Sequence, residues 1–135
     1  MPSDPRFLPV VRATVDGLVR TCGLTNEECI GVTLAIDEAL ANVIRHAYKS
    51  CYDHMIEFEC SVNDRQMEFT LLDQGEPPDP ARICAQPMDD IALCGRGTHL
   101  IRTVMDEVTY NQVSGGNQLK LIKRLHAAKA LAGGE

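Results

Sequence analysis

The most constraining feature of the chain is a helical apolar pattern that follows Thr25. Apolar residues recur there at spacings of three and four, which predicts one buried helical seam. The seam residues are Cys29, Val32, Ile36, Ala39, Leu40, Val43 and Ala47. Thr25 and Glu28 form a capping-box pattern, which predicts where the helix begins. Such a seam must pack against another layer of structure, whereas the residues on the opposite side of the helix need not be buried.

Two polar residues on that opposite side form a candidate site. Glu38 and Asn42 are four residues apart, so a helix places them on one face. A carboxamide oxygen can ligate Mg²⁺, and a carboxylate beside it can accept a proton. This pairing suits phosphoryl transfer from a magnesium nucleotide. Taken alone, the segment is better interpreted as an ordinary solvated helix face.

Composition limits the classes of function. The 135 residues suit one domain, which we predict to span 1–135, with a hydrophobic fraction of 44% and a charged fraction of 24%. No apolar run is long enough to span a bilayer, and the N-terminus has no secretory pattern. We therefore expect a cytoplasmic protein without membrane contact. The net charge of −6 and scattered cations argue against direct nucleic-acid binding.

Periodicity predicts the remaining elements in the order ααββαββα. Four strands linked mainly by hairpins need a cover on one face, so we predict a two-layer α+β sandwich. The expected elements besides the capped helix are a helix over 5–22, strands over 56–62 and 67–73, a helix over 97–105, strands over 107–113 and 118–124, and a helical tail over 125–131. Ser114–Asn117 is expected to form a hairpin turn.

The six cysteines form no C-x-x-C pair and match no zinc-binding spacing. We expect reduced, partly buried thiols. Two alternatives remain open: a metal site formed by Cys51, His54 and Cys60, and a redox pair formed by Cys84 and Cys94.

A second candidate motif follows the strand that ends at Asp73. A carboxylate at a strand end can accept a hydrogen bond from an exocyclic amine such as that of adenine. Gly75, two residues further on, would let a flat base approach the backbone. The alternative is an ordinary turn, because Asp, Gly and Pro are all turn residues.

A third candidate motif is Gly95-Arg96-Gly97-Thr98, which directly precedes the predicted short helix. Glycines expose backbone N–H groups, and a helix N-terminus adds partial positive charge, so this segment could bind an anion. A lone G-x-G is weak evidence, and a flexible hinge is the alternative.

The order of these three motifs resembles the GHKL (Bergerat) ATP-binding fold. The segments IDEALANVIRHAY, DQGEPPDP, GRGTHLIRTVMDEV and GGNQLKLIKRL are similar to those of the bacterial anti-sigma-factor serine protein kinase family. The resemblance runs from about Leu24 to Leu125. It implies a two-layer α/β sandwich with a mixed, mainly antiparallel sheet that helices cover on one face.

The resemblance also implies ATP and Mg²⁺ as cofactors and a role for each candidate residue. Glu38 would be the general base, and Asn42 would bind the nucleotide through Mg²⁺. Asp73 would bind the adenine amino group, with Gly75 beneath the ring. The expected phosphate contacts are Arg45, Gly95, Arg96, Gly97 and Thr98, the last four at the end of a lid over residues 76–95.

Members of the family transfer the γ-phosphate to a serine of a STAS-domain anti-anti-sigma protein. The resemblance therefore implies a STAS-domain partner, possible binding of a sigma factor, and possible homodimers. The alternative is a non-catalytic ATP-binding module that sequesters a regulatory protein. The presence of both Glu38 and Asn42 favours the enzyme, since a pure binder could dispense with Glu38.

The sequence departs from the family pattern at two places. Thr98 and His99 follow Gly97 where the family usually has a bulky apolar residue, which could alter lid packing. The family also usually has a strand before the first helix, and Met1–Phe7 barely provides one. Because such an edge strand often helps dimerisation, we expect a weakened dimer contact.

Overall fold

The computed structural model of the chain describes residues 1–78 and 91–126, the second range with its side chains from residue 98 onward. The predicted lid beyond residue 78, up to residue 90, and most of the predicted tail helix lie outside these ranges. The elements are a 3-10 turn (Pro5–Phe7), α1 (Leu8–Thr21), α2 (Asn26–Asn42), a π-helical turn (Val43–Ala47), β1 (Glu57–Val62), β2 (Gln66–Asp73), α3 (Ile91–Val104), β3 (Glu107–Val113) and β4 (Gly116–Arg124).

The capping box that opens α2 forms as predicted. The Thr25 hydroxyl accepts a hydrogen bond from the Glu28 N–H at 3.2 Å, and the Glu28 carboxylate accepts one from the Thr25 N–H at 2.8 Å. These bonds, together with a hydrogen bond between the Glu28 carboxylate and the His126 ring, lower the pKa of Glu28 to about 2. Preceding this helix, Gly23 adopts a φ of 79°, which ends α1 as predicted.

The four strands form one sheet in the order β1-β2-β4-β3, and every pairing is antiparallel. The buried positions of β2 are Met67, Phe69, Leu71 and Asp73, which alternate with half-buried ones. This alternation confirms the predicted period of two. On the opposite face, Lys120 and Glu68 form an ion pair at 3.3 Å, so that face is polar.

One hydrophobic core joins the helical layer to the sheet. Every residue of the predicted α2 seam is buried except Ala47, which is partly buried. Val15 and Val19 of α1 and Ile101 of α3 belong to the same core, so all three helices lie on one side of the sheet. The two-layer α+β sandwich is therefore confirmed.

The helix α3 begins earlier than predicted. It starts at Ile91 rather than at residue 97, so Gly95, Arg96 and Gly97 lie within the helix and do not precede it. The prediction that these glycines form the helix N-terminus is wrong. Ala92 and Leu93 are strong helix formers, and each added residue of a growing helix gains a hydrogen bond, which offsets a cost of about 1 kcal/mol per glycine.

The second hairpin is tighter than predicted. Val113 pairs with Gly116, so the connection contains only Ser114 and Gly115, and Gly115 supplies a φ of 86°. Asn117, which the sequence places in the turn, therefore belongs to β4. Its side chain is buried, and this difference matters for the site described below.

The N-terminal segment forms only an isolated bridge between Pro2 and Met55, which agrees with the expected weak strand. The Ser3 N–H donates to the His54 carbonyl, and the Ile56 N–H donates to the Met1 carbonyl, both at 2.8 Å. Within the described ranges, no helix combines the length and the apolarity needed to cross a bilayer.

The cysteines in the described ranges are free thiols, as expected: Cys22, Cys29, Cys51 and Cys60. Cys60 faces the core from β1, and burial raises the pKa of its thiol to about 11. Among the residues that the structure describes, no three His, Cys, Asp or Glu side chains cluster as metal ligands would, so the Cys51–His54–Cys60 alternative has no support. The side chains of Cys84 and Cys94 lie outside the described residues.

Candidate functional site

The structure brings Glu38, Asn42 and Arg45 together on the solvent-facing side of α2 and its continuation. One guanidinium nitrogen of Arg45 (Nη2) donates to the Glu38 Oε1 and to the Asn42 Oδ1, at 2.9 Å each. The Glu38 side chain is 31% exposed, and that of Arg45 is 52% exposed. Two oxygens of different residues thus converge on one cation at a position that solvent can reach.

The helix widens into a π-helical turn immediately after Asn42. The Tyr48 N–H donates to the Val43 carbonyl at 3.0 Å, and the Ser50 N–H donates to that of Ile44 at 2.8 Å. Turns of this kind inside helices frequently mark functional sites. Here the turn directs the carbonyl of Ala47 and the side chain of Tyr48 toward the loop that follows β2. The sequence contains no signal for it.

A buried polar cluster lies at the end of β2. The Asp73 residue is only 9% exposed, and its Oδ1 accepts hydrogen bonds from the Gly75 N–H and from the Asn117 carboxamide, both at 2.9 Å. Asn117 also donates to the Gly75 carbonyl at 3.0 Å. Within the described part of the chain, all hydrogen bonds to this carboxylate end on Oδ1, so Oδ2 can accept from a ligand.

The loop after Asp73 lies directly against the π-helical turn. The Glu76 N–H donates to the Ala47 carbonyl at 2.9 Å. A Cβ on Gly75 would overlap that same carbonyl, so only glycine fits here without a shift of the backbone. A Cβ on Gly116 would likewise overlap the carbonyl oxygen of Asp73. Close backbone approach thus places the loop after Asp73 against the helical segment that carries Glu38 and Asn42.

Further contacts hold the same two segments together. The Tyr48 hydroxyl accepts from the Gln74 N–H at 2.8 Å and donates to the Met55 carbonyl at 2.7 Å. Lys49 and Glu76 form an ion pair at 2.8 Å across the junction. Both charged side chains are well exposed, so this pair adds little to stability.

Sequence reasoning missed two residues of this site. Asn117 had a usable signal: it precedes Leu119 and Leu121 at a spacing of two, which predicts an inward-facing position on the strand. In the sheet it is the direct partner of Asp73. Tyr48 had no such signal, because its position depends on the π-helical turn.

The third predicted motif lies on α3, with Thr98 half-buried and followed by the half-buried His99 and Leu100. The side chain of Arg96 and the surroundings of Gly95 and Gly97 lie outside what the structure describes. Their phosphate contacts therefore remain a prediction, as do the roles of the lid residues.

Comparison with known proteins agrees with the fold and with the family resemblance. A family model described as the histidine kinase-like ATPase domain matches residues 1–123. The chain belongs to this family. Its similarity to known serine-protein kinases places it among the anti-sigma-factor serine protein kinases of that family.

Three of these relatives are proteins named serine-protein kinase RsbW. The chain is 26% identical to that of Bacillus subtilis, covering 85% of this chain and 77% of the relative. It is 30% identical to that of Halalkalibacterium halodurans, covering 85% and 75%. It is 27% identical to that of Staphylococcus epidermidis, covering 92% and 85%.

Solved structures of histidine-kinase-like ATPase domains share the fold. The chain aligns with the blue-light-activated histidine kinase EL346 of Erythrobacter litoralis with a TM-score of 0.58 and 18% identity, covering 79% of this chain and 33% of that one. It aligns with the histidine kinase domain of the same protein with a TM-score of 0.60 and 15% identity, covering 98% and 66%. At this identity the likeness concerns the fold alone.

The close approach of Gly75 to Ala47 gives a first testable prediction. Gly75→Ala should lower the free energy of unfolding by about 1–3 kcal/mol, because the new Cβ overlaps a backbone carbonyl. Gly17→Ala is the matched control: its Cβ would meet nothing within 4 Å, so it should raise stability by about 0.5–1 kcal/mol. Urea denaturation of both variants provides the measurement. Wild-type stability for Gly75→Ala would contradict the described contact.

Proposed function

We propose that the chain is an ATP-dependent serine protein kinase and anti-sigma regulatory factor that phosphorylates a serine of a STAS-domain anti-anti-sigma protein. The observation that carries the proposal is the junction of its two polar motifs. Glu38 and Asn42 both accept hydrogen bonds from Arg45 on one face of the helix. The continuation of the same helix contacts the loop that holds Asp73. The names of the curated relatives support the class of reaction.

The cluster at the end of β2 suits adenine. Asp73 is a buried carboxylate, an acceptor that an exocyclic amino group can satisfy. Guanine presents a carbonyl oxygen at the corresponding position, and two acceptors facing each other in a buried site are unfavourable. Gly75, whose missing side chain leaves room for the Ala47 carbonyl, would lie beneath the approaching ring. We therefore infer preference for adenine over guanine nucleotides.

The face of α2 suits a magnesium nucleotide. The Asn42 carboxamide oxygen and the Glu38 carboxylate both accept from the Arg45 guanidinium, and oxygens of these two kinds are the ligands that a hard metal ion takes. When bound, Mg²⁺ neutralises charge on the phosphates. Asn42 would hold it, and Arg45 would turn toward the phosphates. The predicted contacts of Gly95, Arg96, Gly97 and Thr98 would complete phosphate binding.

In the transfer step, Glu38 would act as general base. Its carboxylate would accept the proton from the hydroxyl of the target serine. The serine oxygen would form a bond to the γ-phosphorus as the bond to the ADP oxygen breaks. Because phosphoryl transfer needs mainly positioning and charge stabilisation, a small domain with few charged groups at its site can support it.

One observation favours a second function. The Glu38 Oε1 already accepts a hydrogen bond from Arg45 at 2.9 Å, so the guanidinium would have to move away before this oxygen could meet a serine hydroxyl. A non-catalytic module would use ATP as a structural ligand and would sequester a regulatory protein. This alternative predicts no phosphate transfer by the wild type and unchanged partner affinity in Glu38→Gln.

The proposed partners are proteins. A STAS-domain substrate comes first, and a sigma factor and a second copy of the chain are further candidates. The net charge of −6 and the scattered cations favour protein partners over direct nucleic-acid binding. We place the protein in the cytoplasm, where ATP is available.

Nucleotide binding can be tested by titration calorimetry with ADP, with and without Mg²⁺. Asp73→Asn should weaken binding at least tenfold under both conditions, because it replaces the acceptor for the adenine amine by a group that can donate. Asn42→Ala should weaken binding only when Mg²⁺ is present. GDP should bind at least tenfold more weakly than ADP. Absence of ADP binding by folded wild-type protein would remove the kinase proposal.

Glu38→Gln separates the two candidate functions. As general base, its loss should lower phosphate transfer by about 10²–10⁴-fold while ADP affinity stays near the wild-type value. Asp37→Asn is the matched control, since the neighbouring Asp37 pairs with Arg12 of α1, whereas Glu38 pairs with Arg45. In the assay, each variant is incubated with ATP and the STAS-domain proteins of the source genome, and phosphoserine is located by mass spectrometry. Equal transfer by Glu38→Gln and wild type would exclude Glu38 as base.

A further inference from the structure

Tyr48 connects three segments that are distant in sequence. Its side chain belongs to the core, and the residue is only 6% exposed. The hydroxyl accepts from the Gln74 N–H at 2.8 Å and donates to the Met55 carbonyl at 2.7 Å. Its ring stacks on that of His54, with centroids 4.6 Å apart and planes 15° apart. A buried hydroxyl that uses both its proton and a lone pair in this way restrains all the segments that it joins.

From these contacts we propose that Tyr48 is a positioning residue for the nucleotide. Its hydroxyl fixes the loop over residues 73–76 relative to the helix that carries Glu38 and Asn42. The inference rests on the proposed nucleotide binding and adds Tyr48, a residue to which the sequence analysis gave no role. Tyr48 does not need to touch the nucleotide, because it acts through the backbone of Gln74.

The position of the Gln74 amide explains why one hydrogen bond has this effect. Gln74 lies between Asp73, the proposed acceptor for adenine, and Gly75, the proposed floor beneath the ring. Other contacts hold the same loop: the Glu76 N–H donates to the Ala47 carbonyl, Lys49 pairs with the Glu76 carboxylate, and the Asn117 carboxamide donates to the Gly75 carbonyl. Among the described side chains at this end of the helix, Lys49 contacts the loop from an exposed position and Tyr48 from a buried one, so the Tyr48 hydroxyl restrains the loop more firmly. Hydrogen bonds weaken steeply with displacement, so a small shift of Asp73 would weaken its bond to the adenine amine.

The hydroxyl can position the loop because it is itself held from the other side. The segment 51–56, which accepts its proton at Met55, is anchored to the N-terminus. The Ser3 hydroxyl donates to the Cys51 carbonyl at 2.6 Å and accepts from the His54 N–H at 3.1 Å. Together with the Ile56 N–H bond to Met1, these contacts fix the segment on which the tyrosine ring rests.

Tyr48→Phe tests the proposal, because it removes the hydroxyl and keeps the ring. In the free protein, exchange of the Gln74 amide hydrogen should become at least about tenfold faster, since that amide loses its acceptor. In a titration with Mg·ADP, affinity should fall about tenfold, the effect expected for a lost hydrogen bond that positions a ligand contact.

Two control variants separate positioning from general loosening. Thr25→Ala removes the hydroxyl of the capping box at the far end of α2, so it should lower thermal stability yet keep Mg·ADP affinity within about twofold. Tyr52→Phe makes the same chemical change at an exposed ring and should alter neither property. A lower affinity in Tyr48→Phe alone would support the proposal.

Three results would overturn it. Wild-type Mg·ADP affinity in Tyr48→Phe would reduce the tyrosine to a purely structural residue, even if stability fell. An equal loss of affinity in Thr25→Ala would show general loosening. Failure of wild-type protein to bind Mg·ADP would remove the proposed function together with this inference. That failure is distinguishable from the first result, in which wild type binds and the variant binds equally well.

Discussion

The hydrogen bond between Asp73 and Asn117 is the interaction on which the site depends. A buried carboxylate without donors costs several kcal/mol, so its charge must be compensated locally. The antiparallel register of β2 and β4 places Asn117 directly opposite Asp73, and the carboxamide donates to Oδ1 and to the Gly75 carbonyl. The sheet thus determines where the carboxylate lies and which of its oxygens Asn117 contacts.

The second constraint comes from the helical layer. The apolar seam of α2 packs into the core and fixes the helix on the sheet, with Glu38 and Asn42 on its solvent-facing side. The π-helical turn that follows brings Ala47 and Tyr48 against the loop after β2. One continuous helical segment therefore sets the distance from Asn42 and Arg45, proposed to hold the metal and the phosphates, to Asp73, proposed to hold adenine.

The sequence was sufficient where a periodic pattern determines burial. The α2 seam, the alternation in β2 and the capping box at Thr25 all appear as predicted, because each depends on local spacing. The shared face of Glu38, Asn42 and Arg45 was predictable for the same reason. The roles assigned to these residues and to Asp73 remain predictions.

The sequence was insufficient where non-local contacts decide. Asn117 lay in a segment that looked like a turn, and only the pairing with Asp73 shows that it belongs to the strand and to the site. The beginning of α3 was misplaced because glycines usually interrupt helices, whereas here the helix continues through Gly95 and Gly97. The function of Tyr48 depends on a π-helical turn, which has no local sequence pattern.

The central claim is that the two motifs form one nucleotide site. A crystal structure of the protein with Mg²⁺ and a non-hydrolysable ATP analogue tests it most directly. The account predicts the adenine amino group within hydrogen-bond distance of the Asp73 carboxylate, and the Asn42 oxygen on the metal, in the same bound molecule. Adenine bound away from Asp73, or a metal held without Asn42, would contradict it.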